Sequence, residues 1–314
     1  MRRAAKLLRR RAFTAIPVLL IVLVFTFLLL ENASGDAVDA YLVSIGGGDA
    51  GLRDALREQY GLNGSVLARF WLYASSVLRL DLGWSLAFDR PVLGLILERL
   101  PNTLLLMGSA TTLAFILGTA LGILAGARPG GATDRALSTL SLALYATPGF
   151  WLGLVLAIVF AVKFRWLPTS GIETIASGKH GMARAVDIGR HLVLPVASLG
   201  LIYLALFLRV MRTAMAAIWP LDFVLFAQSK GLSKRRIVLR LQAATMLGGS
   251  VVIESVFAIP GFGRLAQEAV TGRDAPLLMG IILTSAVFVI LVNLSVDIVH
   301  SVLDPRIGSG EQGA

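Results

Sequence analysis

Long, nearly uninterrupted apolar runs constrain this chain more than any other feature. Six stretches stand out: Ala12–Leu30, Thr103–Gly126, Ala136–Val162, His191–Leu208 with its polar tail, Leu241–Ile259 and Ala275–Val296. Each reaches or approaches the roughly 20 helical residues needed to cross a hydrocarbon core about 30 Å thick. Helices satisfy their own backbone hydrogen bonds, which makes them the expected form of such runs in lipid. Hydrophobic residues make up 56% of the 314 positions and charged residues only 15%. A soluble domain usually carries about a quarter charged residues, so water is the wrong solvent for this chain. The expected fold class is an all-α membrane protein with about six transmembrane helices.

The N-terminus sets an expected orientation. MRRAAKLLRRRAF places six basic residues ahead of the first apolar run, and basic residues beside short loops stay cytoplasmic. A secretory signal begins similarly, and Arg10–Arg11 with Phe13 hints at a twin-arginine signal, but a signal's apolar region is about 7–15 residues long. Ala12–Leu30 is longer, which favours an uncleaved first helix with the N-terminus inside. The formal net charge of +10 fits membrane topology better than nucleic-acid binding, because the basic clusters lack interleaved aromatics. Membrane lipid is the expected partner of that charge, and no nucleic acid is expected.

Between the first two runs, Glu31–Leu100 holds nine acidic and six basic residues and is read as extracytoplasmic. Within it, LRDALREQYGLN carries Leu52, Leu56 and Tyr60 at helical spacing, with Gly61 as a stop. RFWLYASSVLRLDLGWS supplies Phe70, Trp71, Tyr73 and Trp84, side chains suited to a membrane interface. Gly118, Gly122 and Gly126 recur every fourth residue in LGTALGILAG, a small-residue ridge that lets another helix approach closely.

Catalytic signatures are missing. The chain has no cysteine, and no HExxH, GxSxG or GxxxxGK[ST] motif. Its histidines, His180, His191 and His300, share no motif that would make a metal site, and no catalytic or cofactor-binding residue is expected. Charged residues inside spans are default functional candidates, of which Glu254 is the main one. Arg209, Arg212 and Asp297, near inner span ends, read first as solvated or snorkelling.

One stretch breaks the apolar pattern. FAQSKGLSKRRIVLR (Phe226–Arg240) crowds five basic residues around a glycine, on the expected cytoplasmic side. Phe223, Phe226, Ala227 and Leu232 can share part of one helical surface, Gly231 breaks the segment, and Ser233 suits a cap for a following turn. On its residues alone it is either a docking handle for a cytoplasmic partner or a basic loop drawn to anionic lipid.

The segment DFVLFAQSKGLSKRRIVLR resembles the cytoplasmic coupling loop of permeases from binding-protein-dependent ABC importers, particularly the dipeptide/oligopeptide type (DppB/OppB). The likeness extends through RPVLGLILERLPNTLLL, TPGFWLGLVLAIVFAVKFRWLPTSG, HLVLPVASLGLIYLALFLRVMRTAM, GGSVVIESVFAIPGFGRLAQEAVTGRDAPLLMG and LDPRI. The resemblance implies a peptide permease subunit of the bacterial inner membrane, with nickel, glutathione or another small solute as alternative cargo. It implies that Asp222, Phe223, Ala227, Gly231 and Leu232 belong to the ATPase-coupling region. It also implies a second homologous permease, two ABC ATPase subunits and an extracytoplasmic solute-binding protein, with ATP used by those partners and no cofactor held by this chain. The expected domains are an anchor and extracytoplasmic segment over residues 1–100, a permease core over 101–307 with its coupling loop at 219–240, and a tail over 308–314.

Two departures from the family pattern stand out. Phe226–Ala227–Gln228 replaces the Glu-Ala-Ala that usually opens the loop. Beyond Arg240 about fifteen residues are missing, most of one membrane crossing. Leu241–Phe257 would reach only about 25 Å as a helix. That fifth span is therefore tilted, thinned or extended by Ile237–Leu239, or the chain is a divergent variant, or it is a transport-defective scaffold.

Overall fold

A computed structural model describes residues 2–31, 49–59, 64–218 and 261–303, together with Val38, Leu42 and Gly47. Among these residues the architecture is helical: α1 (Arg2–Glu31), α2 (Ala50–Gln59), α3 (Val66–Leu78), α4 (Val92–Gly126), α5 (Ala132–Ala146), α6 (Gly149–Leu156), a π-helix (Ala157–Lys163), α7 (Gly181–Ile218), α8 (Phe262–Thr271) and α9 (Ala275–Leu303). A two-residue hairpin, β1 (Trp84–Ser85) against β2 (Arg90–Pro91), pairs antiparallel with Trp84 opposite Pro91.

Among the described residues, three helices are long and apolar enough to cross a membrane, namely α4, Gly181–Ala217 of α7 and Ala275–Leu294 of α9. The α5–α6 pair makes a fourth if its two limbs count as one span. In α1 the apolar stretch is Ala15–Leu29. The expected fifth span, Leu241–Ile259, lies outside the described residues.

Two sequence expectations need correction. The second span was expected to begin at Thr103, after an external segment ending at Leu100. Instead α4 starts at Val92 and runs 35 residues without a break, or about 52 Å at 1.5 Å per residue. That exceeds a 30 Å core, so part of α4 projects from the bilayer. Pro101 sits within α4, as membrane helices tolerate when neighbours re-satisfy the freed carbonyl. The third span was expected as one rod from Ala136 to Val162. It is instead two helices meeting at 100°. The cause is local: a residue before proline is forced out of the helical region, and Thr147 accordingly adopts φ −83°, ψ 125° ahead of Pro148. Beyond the corner the helix widens into seven residues of π-helix, a geometry frequent at functional positions.

The chain divides into two compact units, Met1–Arg99 with Leu265–Ala314, and Leu100–Arg264. The first unit thus combines the N-terminal residues with the C-terminal helical segment. In the first unit, Arg69 Nη2 donates to Glu31 Oε1, joining α3 to the end of α1, and Phe27 packs edge-on against Phe70 at 5.4 Å. Gly280 of α9 lies against Val92, Ile96 and Leu82. In the second unit Leu106, Ala110, Ala161, Leu192, Leu194 and Leu199 form one buried cluster. Ala114, Leu204 and Leu208 form another, against which Leu137 and Leu144 pack. Half of the most apolar stretch of α7 is buried, which makes α7 the central helix of that unit.

Candidate functional site

The turns of α7 from Phe207 to Met215 hold specific contacts with two neighbouring helices. Their first partner is the glycine ridge of α4. A Cβ added at Gly118 would lie 2.7 Å from Phe207 Cβ, one at Gly122 2.6 Å from Met211 Cβ, and one at Gly126 2.5 Å from Met215 Cβ. Both partner series advance by four residues in the same direction, so the helices run parallel with their i, i+4 ridges in register. Backbone carbonyls approach as closely: Leu208 O would stand 2.7 Å from a Cβ at Gly122. Lipid is as apolar as leucine, so helices in a membrane gain little from greasy surface alone, and close packing of small residues carries the association.

The second partner is the start of α5. Arg212 Nη2 donates to Asp134 Oδ2 at 2.8 Å, and Arg212 Nε donates to Asp134 Oδ1. Asp134 is 2% exposed. Its carboxylate also accepts from Gly130 N at 2.8 Å and from Ser138 Oγ at 3.2 Å. One buried group thus closes the turn after α4, opens α5 and holds α7. The geometry is the two-point fork that arginine makes with a carboxylate, roughly twice as strong as a neutral hydrogen bond. One turn earlier, the guanidinium of Arg209 lies 5.0 Å from the Tyr145 ring centroid, within cation–π range. Arg209 and Arg212 are therefore engaged by α5 and not simply snorkelling.

At the opposite end of α7, Asp187 organises the loop that follows the π-helix. It accepts from Thr174 N at 2.7 Å, Thr174 Oγ1 at 3.0 Å and Lys179 Nζ at 2.5 Å. Arg184 grips Glu173 at 2.6 and 3.1 Å and holds its carboxyl below the usual carboxylate range. His191 is buried, its Nδ1 2.8 Å from Asp187 O. Among the described residues no three His, Cys, Asp or Glu side chains come together as a metal site would need.

The expected coupling residues Asp222, Phe223, Ala227, Gly231 and Leu232, and the candidate Glu254, lie outside the described residues. Gly118, Gly122 and Gly126 share one seam against α7. Asp134, Asp187 and Asp274 were not singled out from the sequence. Each acts through partners supplied by the fold.

Among the described residues, three helices long and apolar enough to cross a membrane, with a bent apolar pair beside them, mark a multi-pass membrane protein. The chain belongs to the family of binding-protein-dependent transport system inner membrane components, whose model matches residues 118–309. It is 32% identical to the oligopeptide transport system permease protein AppB of Bacillus subtilis, over 95% of this chain and 98% of that protein. It is 34% identical to the probable peptide ABC transporter permease protein y4tP of Sinorhizobium fredii, over 95% and 97%. A putative peptide permease protein of Brucella ovis is 33% identical over the same shares. Membership makes this chain the membrane component of a transporter, with a solute-binding protein and separate ATPase subunits as its implied partners.

Proposed function

We propose that this chain is the permease subunit of an ATP-driven importer of dipeptides or oligopeptides, with its N-terminus in the cytoplasm. The observation that carries this reading is its similarity, along 95% of its length, to proteins named as peptide permeases. In the working assembly a second, related permease completes the translocation path and two ATPase subunits drive it. Closure of the ATPases pushes on Asp222–Leu232. The attached helices then rock, and the path alternates between the two sides of the membrane. Such coupling requires that the two conformations bind the partners with different free energies.

The test is reconstitution of the complete transporter in liposomes, with labelled trialanine as probe. ATP-dependent accumulation is expected, and its absence would refute the importer reading. Gly231→Asp is expected to leave membrane insertion intact while ATP hydrolysis continues without uptake; normal uptake would rule out docking at that bend. Orientation has its own test. Replacing Arg9, Arg10 and Arg11 together is expected to yield a mixed population of orientations by reporter fusions, whereas an unchanged topology would assign orientation to other charges.

A further inference from the structure

We propose that the Asp134–Arg212 pair is the tie through which displacement of the coupling segment reaches the bent α5–α6 pair. This rests on the importer reading above. Helix α7 is described as far as Ile218, four residues before Asp222 in the chain, so a push on the segment arrives through the turns of α7 nearest to it. Three kinds of contact can pass it onward. The glycine seam transmits it to α4. Leu137 and Leu144 of α5 pack against the cluster that contains Leu204 and Leu208, but apolar surfaces in lipid resist sliding weakly. The fork between Arg212 and Asp134 is directional and bidentate, and it is anchored at its far end by Gly130 N and Ser138 Oγ.

A guanidinium keeps its charge under all conditions of the cycle, and a buried carboxylate that lost it would be left uncompensated. The pair therefore stays closed, and α5 follows α7. Because α5 meets the next helix at a 100° corner, movement at its start is turned into movement of α6 and the π-helix. Asp134 and Arg212 are positioning residues: they touch no cargo, and they decide which helices move together.

A structural staple and a coupling tie differ in what their loss changes. In the reconstituted complex, uptake of labelled trialanine and ATP hydrolysis are measured together for Asp134→Asn, which keeps the shape and loses the charge, and for Arg212→Lys, which keeps the charge and loses the fork. Both are expected to assemble with the ATPases while uptake per ATP falls on the order of tenfold, within the range by which substitutions along a coupling network change it. The chain contains no cysteine, so the double variant D134C/R212C offers a clean covalent replacement. Its uptake per ATP is expected to be low when reduced and to recover when a short bifunctional thiol reagent bridges the pair.

An unchanged ratio in both single variants overturns the tie. So does failed recovery on bridging, and so does reduced assembly with a normal ratio in the complex that remains. If the native complex shows no ATP-driven uptake, the importer reading fails and the tie with it. If the native complex transports and Gly231→Asp uncouples it while Asp134→Asn keeps the native ratio, the tie alone is wrong.

Discussion

Gly122→Val is expected to separate α4 from α7 and to lower stability by about 3 kcal/mol, the upper end of the usual cost of overpacking. The first added carbon would stand 2.6 Å from Met211 Cβ and 2.7 Å from Leu208 O. Neither neighbour can yield cheaply: one is a backbone carbonyl, and Met211 is only 2% exposed. Because Gly118 and Gly126 meet α7 in the same register, relief at one point must break contact along about two turns. Gly108 provides the control. It lies on the same helix with nothing within 4 Å of an added Cβ, so Gly108→Ala should melt near the native temperature in detergent. The seam would be refuted as a stabilising element if Gly122→Val and Gly108→Ala melted alike.

Asp274→Ala is expected to cost a comparable amount, about 3 kcal/mol, by orphaning several donors at once. Asp274 is 1% exposed and immediately precedes α9. Its Oδ1 caps that helix through Leu277 N at 3.0 Å. Its Oδ2 accepts from Ser85 Oγ at 2.6 Å and Ala87 N at 3.1 Å. Ser85 is itself fully buried, so water cannot replace the lost acceptor without opening the hairpin. Asp274→Asn retains a capping oxygen and should lose markedly less, while the alanine variant should expose Ala87 N to rapid hydrogen exchange. An alanine variant that melted with the native protein would show that the carboxylate does not organise this junction.

These expected effects mark where sequence reading reached its limit. The glycine ridge was legible because its period of four is a local property of one helix, and lipid favours small residues at close contacts. Its partners Phe207, Met211 and Met215 were not legible, since several registers of α4 on α7 would present apolar side chains equally well. Arg212 looked like a snorkelling residue because its counter-charge lies 78 positions away. Asp274 and Ser85 are 189 positions apart and carry no shared motif. The corner at Pro148 was within reach of sequence reasoning, because the conformational restriction before proline is local. The unbroken apolar composition on both sides of it hid the break.

By itself, the sequence determined the solvent of this protein and its family. Apolar runs demand lipid, basic residues at the N-terminus bias their orientation, and an ordered series of motifs is recognisable without coordinates. Each follows from the residues' own chemistry and local spacing. Only the tertiary structure decided which helices pack together, that the apolar run around Pro148 is bent, and that a buried carboxylate joins α5 to α7. Those outcomes depend on packing register and on partners distant in the chain. In a medium where one apolar face is nearly as good as another, the few polar and close-packed contacts select among arrangements that composition leaves equivalent.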